Sequence, residues 1–360
     1  MSARRAIPIT GPDLNPSRPM RRVWSITRRD MPRLSVTIPV FNAGTTIVRS
    51  VESVLRSTFA DLECVVVDDG SEDNTLDVLG AIDDDRLRVI AGDRVGVAGA
   101  ANRAIRESRA PIIARMDADD FCHPTRFEKQ LKLLDEAGLH GVGGRVRIVD
   151  RKGVPVPTMR RYESWVNENL DDASIRAFRF VESPLVNPTM TARREVFELG
   201  FREGAFPEDY DLWLRAMQGG FRFAKVEDIV LDWTDGPGRL TRSHPNYSSE
   251  AFDRCRREHL LAGPLRGVKG VRFWGAGQTG KPWLRWLREK GIKVECVVEV
   301  SPRKIGETIH GARVIPPERL PAADGRPLLI AVGAPGARNL ILKRMDEVGC
   351  RPGVDAWFVA

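Results

Sequence analysis

Two groups of carboxylates, each directly after a short apolar run, are the residues whose types and spacing point to chemistry. Asp68 and Asp69 follow the first run, and Asp117, Asp119 and Asp120 follow the second. Three carboxylates within four residues repel one another unless a proton or a cation joins them. Because oxygen ligands suit hard cations, the spacing predicts a site for a divalent ion, which commonly has a phosphate on its other side.

The elements that must position these carboxylates alternate between strand and helix. Short β-branched or apolar runs bounded by turn residues predict four strands, at 34–41, 62–67, 87–90 and 111–116. Apolar residues three and four apart predict a helix after each of the first three strands, at 47–55, 76–82 and 97–105. This order predicts an α/β fold with a mostly parallel sheet, which collects ligands at the carboxyl ends of its strands. Both carboxylate groups fall at such ends.

Four short motifs follow one another along the chain: V-T-I-P-V-F-N (36–42), V-V-V-D-D-G-S-E-D-N-T (65–75), M-D-A-D-D (116–120) and P-E-D-Y-D-L-W-L-R (207–215). They occur in the order seen in family 2 glycosyltransferases, and the chain resembles that family over roughly residues 34–245. The resemblance implies the GT-A fold and an inverting transfer of a sugar from a nucleotide donor. It also implies a UDP-sugar as donor, a saccharide or lipid-linked saccharide as acceptor, and Mg²⁺ or Mn²⁺ as cofactor.

The resemblance assigns the donor side of the site to five residues. Pro39 and Phe41 are expected to line the base pocket, and Asp69 is expected to contact the uracil or the ribose. Asp119 is the expected metal ligand, and Asp117 is expected to contact the ribose or a metal-bound water.

Each acidic motif also has a purely structural interpretation. Asp and Gly are turn formers, so Asp68 to Gly70 is also typical of a turn that ends a strand. Asp120 precedes His123-Pro124 and is also typical of the acidic residues found before a helix.

Glu208 and Asp209 open an amphipathic helical pattern and are the candidates for a general base. The resemblance implies that Asp209 removes the proton of the acceptor hydroxyl, with Glu208 as the fallback. A helix N-terminus lowers the pKa of a carboxylate and weakens it as a base, unless burial raises the pKa again. Capping charges are the structural alternative for both residues.

A loop near the end of the resemblance supplies further candidates. His244 stands where some GT-A enzymes give a histidine to the metal or the diphosphate, and the alternative is an ordinary exposed histidine. Arg239 and Arg242 are expected to bind the diphosphate by charge-assisted hydrogen bonds, or else to lie on a solvated surface. The segment 187–191 matches the acceptor side of the family.

The chain is long enough for two domains, with a boundary predicted after Gly263-Pro264. The predicted domains are a GT-A domain at 33–264 and a smaller Rossmann-like α/β domain at 265–360. In the latter, an apolar strand is followed by the G-x-G-x-x-G turn and a helix, and Glu299 ends the next strand. That arrangement predicts a second nucleotide site, with a scaffold that only packs or dimerises as the alternative; its glycines are Gly275, Gly277 and Gly280.

The positive charge is concentrated at the start of the chain. Residues 1–33 hold eight arginines against Asp13 and Asp30, which is +6 of the net +7. Residues 1–32 are therefore predicted as a disordered basic tail, and contact with anionic lipid is the membrane role that its charge suits. The nearly neutral remainder argues against nucleic acid as a partner. Met31 directly precedes the first strand, so both Met1 and Met31 are candidate starts.

Five scattered cysteines without C-x-x-C spacing predict reduced thiols and no zinc site. No apolar run reaches the roughly 18 residues that a membrane span needs. The expected location is the cytoplasm, with the inner face of the membrane as an alternative, and a homo-oligomer is an expected assembly.

Two other functions are weighed against the transferase. A nucleotide-sensing or scaffold protein would act through residues 265–360, and an NAD(P)-dependent oxidoreductase would use the same glycines. No Tyr-x-x-x-Lys pair accompanies those glycines, which argues against hydride transfer.

Overall fold

The first sheet contains the four strands that the sequence predicts. The computed structural model describes residues 31–236, 238–334 and 336–360, so the predicted basic tail lies outside the described residues except at its end. The strands of this sheet are β1 (Leu34–Val40), β2 (Leu62–Asp68), β3 (Leu87–Ala91), β4 (Ile112–Arg115), β5 (Phe121–Cys122), β6 (Gly141–Val149), β7 (Thr191–Arg193) and β8 (Phe223–Thr234). Their order in the sheet is β3-β2-β1-β4-β7-β6-β8-β5, so the four predicted strands are neighbours.

The first four strands are parallel, and β7 and β5 run antiparallel to their neighbours. Parallel strands need crossover connections, and the predicted helices supply them. The helices of this part are α1 (Ile47–Leu55), α2 (Thr75–Gly80), α3 (Gly96–Glu107), α4 (Arg126–Glu136), α5 (Arg160–Glu168), α6 (Asp172–Phe178), α7 (Arg194–Phe197), α8 (Glu208–Gln218), α9 (Leu240–Ser243) and α10 (Ser249–Ala262).

Hydrophobic periodicity explains why the crossover helices form where they do. In α1 the residues Ile47, Val51 and Val54 lie on one face and are fully buried against the sheet. Leu55, which the pattern also placed on that face, is only partly buried because it ends the helix.

A second, smaller sheet follows α10. Its strands are β9 (Gly270–Trp274), β10 (Lys293–Val298), β11 (Thr308–Ile309), β12 (Ala312–Ile315), β13 (Leu328–Ile330) and β14 (Ala356–Phe358), and its helices are α11 (Gly280–Glu289) and α12 (Ala337–Glu347). The order is β11-β12-β10-β9-β13-β14, with only β11 antiparallel among the described pairings. The strands and helices predicted around the G-x-G-x-x-G turn therefore form.

The two sheets share apolar cores. One hydrophobic cluster contains Trp213 of α8, Leu260 of α10, Phe273 of β9 and Trp283 of α11. Residues Pro32–Ala360 form one compact unit. The domain boundary near residue 264 stays a prediction.

Gly280 is required by the close approach of α11 to the turn that precedes it. A Cβ at Gly280 would lie 1.7 Å from the carbonyl oxygen of Gly275, whereas a Cβ at Gly277 would meet nothing within 4 Å. Gly280→Ala should therefore lower the free energy of unfolding by about 2 kcal/mol or more, because backbone must move to admit the methyl group.

Gly277→Ala is the matched control, and its free energy of unfolding should stay within about 0.5 kcal/mol of the native value. Urea denaturation of the full chain measures both. Equal stabilities for the two variants would contradict the packing role of Gly280.

Candidate active site

Strand register brings the two acidic motifs to one edge of the first sheet. Val40 of β1 pairs with Asp68 of β2, and Thr37 pairs with Arg115 of β4. Asp117 stands two positions beyond Arg115 and is therefore level with the last residues of β1. Because the strand order reverses between β1 and β4, a crevice is expected there at the carboxyl ends, where open α/β sheets bind ligands.

Asp69 holds the start of α3 rather than pointing freely into this crevice. Its two carboxylate oxygens accept the backbone N–H groups of Val95, at 2.6 Å, and Gly96, at 3.0 Å. Asp68 is differently placed, since Oδ2 accepts the N–H of Ser71 at 3.0 Å while Oδ1 is buried and has no hydrogen-bond partner among the described residues. The expected contact between Asp69 and the uracil or ribose stays a prediction, and any such contact must share a carboxylate that already accepts two hydrogen bonds.

Phe41 is covered by an arginine from the loop after β3. The Arg94 guanidinium lies 3.7 Å from the ring centroid of Phe41, a favourable cation–π geometry. Pro39 and Phe41 are both partly exposed. The loops after β1 and β3 thus form adjoining walls at the edge where the base pocket is predicted.

A buried arginine accompanies the acidic motif after β4. Arg115 is 4% exposed, and its guanidinium forms an ion pair with Asp117 at 3.0 Å. Burial raises the pKa of Asp119, and the charge of Asp117 raises it further.

Asp120 is tied to the end of β8. Its Oδ1 accepts the N–H of Thr234 at 2.8 Å, and its Oδ2 is buried and has no hydrogen-bond partner in the part of the chain that the structure describes. The Thr234 hydroxyl donates to the carbonyl of Asp119 at 2.6 Å. Because α4 begins only at Arg126, Asp120 does not cap a helix; it positions the acidic motif against β8 instead.

The residues after β4 fit a divalent cation. Burial, followed by the charges of Asp117 and Asp119, holds the pKa of Asp120 well above its ordinary value. A cation beside Asp119 would relieve this crowding of carboxylates, and carboxylate oxygens are the ligands that Mg²⁺ and Mn²⁺ prefer.

Two arginines of the loop after β8 form ion pairs with an aspartate of the same loop. Arg242 donates to both oxygens of Asp235, at 3.2 and 2.5 Å, and Arg239 lies 3.7 Å from the same carboxylate. His244 is exposed, and its Nδ1 accepts the N–H of Asn246 at 3.3 Å. Arg239 also contributes charge at Asp119. The loop is therefore near the acidic motif, whereas direct contacts of Arg242 and His244 with a diphosphate or metal stay predictions.

Glu208 and Asp209 begin α8, as predicted, and both carboxylates have a raised pKa. Burial raises the pKa of Asp209 to about 7, with the charge of Glu208 as the second cause and the charge of Asp117 adding to it. Burial likewise raises the pKa of Glu208, although the hydroxyl of Tyr247 donates to its Oε2 at 2.5 Å. Burial thus overcomes the helix N-terminus, and a carboxylate with a pKa near neutrality suits a general base.

Three residues of this site carry too little sequence signal to be chosen in advance. Arg115 sits inside an apolar strand, and its importance follows only from burial beside Asp117. Tyr247 reaches Glu208 across 39 positions of sequence, and Arg94 reaches Phe41 through strand order. The M-D-A-D-D motif itself offered the only hint, because acids at a buried strand end need a neighbouring cation.

A second cluster of metal-type ligands is a structural brace. Asp211, Cys255 and His259 lie close together, but Asp211 also accepts from Arg202 and Arg215. Although burial opposes ionisation, the hydrogen bonds from His259, Arg202 and Arg215 keep the pKa of Asp211 below its ordinary value. Burial raises the pKa of the Cys255 thiol to about 12. With two arginines already neutralising Asp211, this cluster joins α8 to α10 rather than suiting a cation.

At the predicted second nucleotide site, Glu299 turns back onto the glycine turn. Its carboxylate accepts the N–H of Ala276 at 3.2 Å and pairs with Lys304 at 3.1 Å. Gly275 has φ +110°, and Gly277 faces open space. Binding of a ribose by Glu299 stays a prediction.

Comparisons with known proteins identify the family of the chain and agree with its fold. The family model "Glycosyl transferase family 2" matches residues 35–201. The succinoglycan biosynthesis protein ExoO of Rhizobium meliloti is 39% identical over 262 residues, which covers 68% of this chain and 74% of that protein. The chain therefore belongs to family 2 of the glycosyltransferases.

Two further relatives differ in how much of them is matched. The UDP-Glc:alpha-D-GlcNAc-diphosphoundecaprenol beta-1,3-glucosyltransferase WfgD of Escherichia coli is 28% identical over 232 residues, covering 64% of this chain and 85% of that protein. The chondroitin synthase of Escherichia coli is 32% identical over 208 residues, covering 56% of this chain but only 29% of that protein.

A solved structure shows the same fold. S. aureus TarS 1-349, crystallised with UDP-GlcNAc, has a TM-score of 0.50 and 17% sequence identity, covering 72% of this chain and 81% of that one. The first sheet thus has the GT-A fold that the resemblance implied. Within the described residues, no helix is both long enough and apolar enough to cross a bilayer.

The acidic motif yields a prediction that separates its second and third aspartates. Asp119→Asn should weaken Mn²⁺ binding at least about tenfold in the presence of UDP, because a metal loses a carboxylate ligand. Asp120→Asn should leave Mn²⁺ affinity within about threefold, since its Oδ1 is engaged with Thr234 and the amide oxygen can accept the same bond.

Calorimetric titration of Mn²⁺ into the UDP-saturated protein measures both affinities. Unchanged binding by Asp119→Asn would remove Asp119 from the metal site, and equal losses in both variants would mean that Asp120 is a ligand too.

Proposed function

We propose that this glycosyltransferase moves a sugar from a UDP-sugar to a hydroxyl of a saccharide or lipid-linked saccharide, with inversion at the anomeric carbon. The observation that carries the proposal is the placement of Asp209 in the first turn of α8, where burial raises its pKa to about 7 and the charges of Asp117 and Arg115 act on it. WfgD, whose name specifies UDP-Glc and a diphosphoundecaprenol acceptor, supports the donor and acceptor classes. ExoO supports a role in polysaccharide synthesis.

The reaction needs a single displacement. The acceptor oxygen forms a bond to the anomeric carbon while the bond from that carbon to the diphosphate oxygen breaks, and the electron pair leaves with the diphosphate. Asp209 takes the proton of the attacking hydroxyl, which makes the acceptor oxygen a better nucleophile. Because base and leaving group must stand on opposite faces of the sugar, one displacement inverts the anomeric centre.

Asp119 would hold Mg²⁺ or Mn²⁺, with Asp117 directed to the ribose or a metal-bound water and His244 as a further candidate ligand. When bound, the ion supplies positive charge that stabilises the departing diphosphate. Arg115 stabilises the same region, because its ion pair with Asp117 neutralises part of that carboxylate's charge. Phe41 and Arg94 would enclose the base, and the loop that carries Arg242 would approach the diphosphate.

For residues 265–360 we propose a packing role as a separate Rossmann-like domain. Arg257 of α10 lies over Trp283 and Trp286 of α11, at 4.8 and 5.4 Å from the ring centroids. These contacts favour the scaffold over the nucleotide sensor. We also propose a cytoplasmic location, because all five cysteines are free and buried.

The base assignment gives a kinetic prediction. Asp209→Asn should lower kcat by about 10² to 10⁴ while donor affinity changes little, because a base acts mainly in the transition state. In the native enzyme Asp209 must be ionised, so the rate should rise as pH increases through about 7 and level off above it. Metal-dependent UDP release, measured across pH with saturating donor and acceptor, provides both numbers.

Glu208→Gln is the comparison variant. If Asp209→Asn stays active while Glu208→Gln loses activity, Glu208 is the base. A rate that falls as pH rises through 7 would contradict a carboxylate base of raised pKa.

A further inference from the structure

Tyr247 makes a short hydrogen bond to Glu208. The position of Glu208 at the start of α8 does not explain this bond. The phenol hydroxyl donates to Oε2 of Glu208 at 2.5 Å, from a short 3-10 helix at Pro245–Tyr247. Glu208 is 8% exposed, so this bond replaces much of the hydration that the carboxylate lacks.

We propose that Tyr247 is a positioning residue for the transfer reaction: its hydroxyl keeps Glu208 ionised, and the charge of Glu208 keeps Asp209 able to accept a proton. The inference rests on the proposed role of Asp209 as base. Tyr247 touches neither the donor nor the acceptor in this scheme, and it acts through its neighbour.

The position of Tyr247 is fixed by α10, which begins two residues later. Ser248 caps this helix by accepting the N–H of Ala251 at 3.2 Å. Phe252 packs on Tyr210 of α8, with ring centroids 5.5 Å apart, and Arg256 donates to the carbonyl of Val181 at 3.0 Å. The phenol therefore approaches α8 from a short segment that leads directly into α10, and α10 is itself packed on α8.

Charged groups on several elements face the two carboxylates. Arg115 and Asp117 act on both Glu208 and Asp209, with Arg115 favouring ionisation and Asp117 opposing it. The charge of Asp209 also acts on four titratable groups of other segments: Tyr162 of α5, Glu182 after α6, Tyr247, and Cys255 of α10. Among these groups, Tyr247 is the one for which the structure shows a hydrogen bond to a carboxylate of the pair.

The Tyr247 hydrogen bond has opposite effects on the pKa values of Glu208 and Asp209. A hydrogen bond to a carboxylate stabilises the ionised form, so the Tyr247 bond lowers the pKa of Glu208 relative to burial alone. An ionised Glu208 raises the pKa of Asp209. Without the hydroxyl, Glu208 retains its proton to higher pH, and the pKa of Asp209 falls.

Tyr247→Phe tests this directly, because it removes the hydroxyl and keeps the ring. The midpoint of the rising limb of the kcat profile should move to lower pH by about one unit. The plateau should fall about threefold because Asp209 becomes a weaker base. The KM for the UDP-sugar should stay unchanged.

Tyr210→Phe is the matched control, since its hydroxyl donates to the carbonyl of Arg179 and not to a carboxylate. It should lower the melting temperature and leave the pH midpoint in place. In a Glu208→Gln background, where the midpoint is already lowered, adding Tyr247→Phe should cause no further shift.

A Tyr247→Phe enzyme with the native midpoint would overturn the inference, as would an equal shift in the Glu208→Gln background. If Tyr247→Phe does not fold, the Glu208→Gln single variant decides, because a native midpoint there also overturns the coupling. Failure of the proposed function is recognised separately, since it requires Asp209→Asn to keep its activity.

Discussion

The buried guanidinium of Arg115 acts on three carboxylates, those of Asp117, Glu208 and Asp209, and it neutralises their charge only in part. The remaining features of the site follow from this incomplete neutralisation. Glu208 is buried, and Asp117 and Asp209 are only partly exposed, so unpaired charge on these carboxylates is costly. Arg115 pairs directly with Asp117 and only partly offsets burial at the other two. The excess negative charge must be met by a cation, a proton or hydrogen bonds, and each of these has a place in the proposed reaction.

The fold places this charge where a ligand can use it. Asp117 and Asp119 follow the central strand β4 at the point where strand order reverses, and Glu208 and Asp209 begin α8. Asp120 fastens the acidic motif to β8 through Thr234. These connections limit how far the carboxylates can move before a donor binds, so less ordering free energy is needed at binding.

Local patterns in the sequence were enough to predict much of this. The runs 34–41, 62–67 and 111–116 predicted β1, β2 and β4 to within one residue at each end, because apolar strands bounded by turns carry their signal within a few positions. The motif at Glu208 and Asp209 placed both residues at a helix start, and burial resolved the conflict between helix dipole and basicity.

Contacts between distant segments could not be predicted in the same way. Two hydrogen bonds depend on how loops return to the sheet. One joins Tyr247 to Glu208, and the other joins Thr234 to Asp120 across 114 positions of sequence. At Asp69 the motif predicted a ligand contact but not the structural role of the side chain. Strand order brings the amides of Val95 and Gly96 to the same carboxylate.

In the proposed reaction, the edge between β1 and β4 binds the donor, and Asp209 lies behind the anomeric carbon. A crystal structure of the full chain with Mn²⁺ and a non-reactive UDP-sugar analogue would show both. We expect a metal ion about 2.1 Å from a carboxylate oxygen of Asp119, with Asp209 on the sugar face opposite the diphosphate. A donor whose diphosphate lies at the Gly275 to Gly280 turn, or whose leaving group faces Asp209, would contradict this placement.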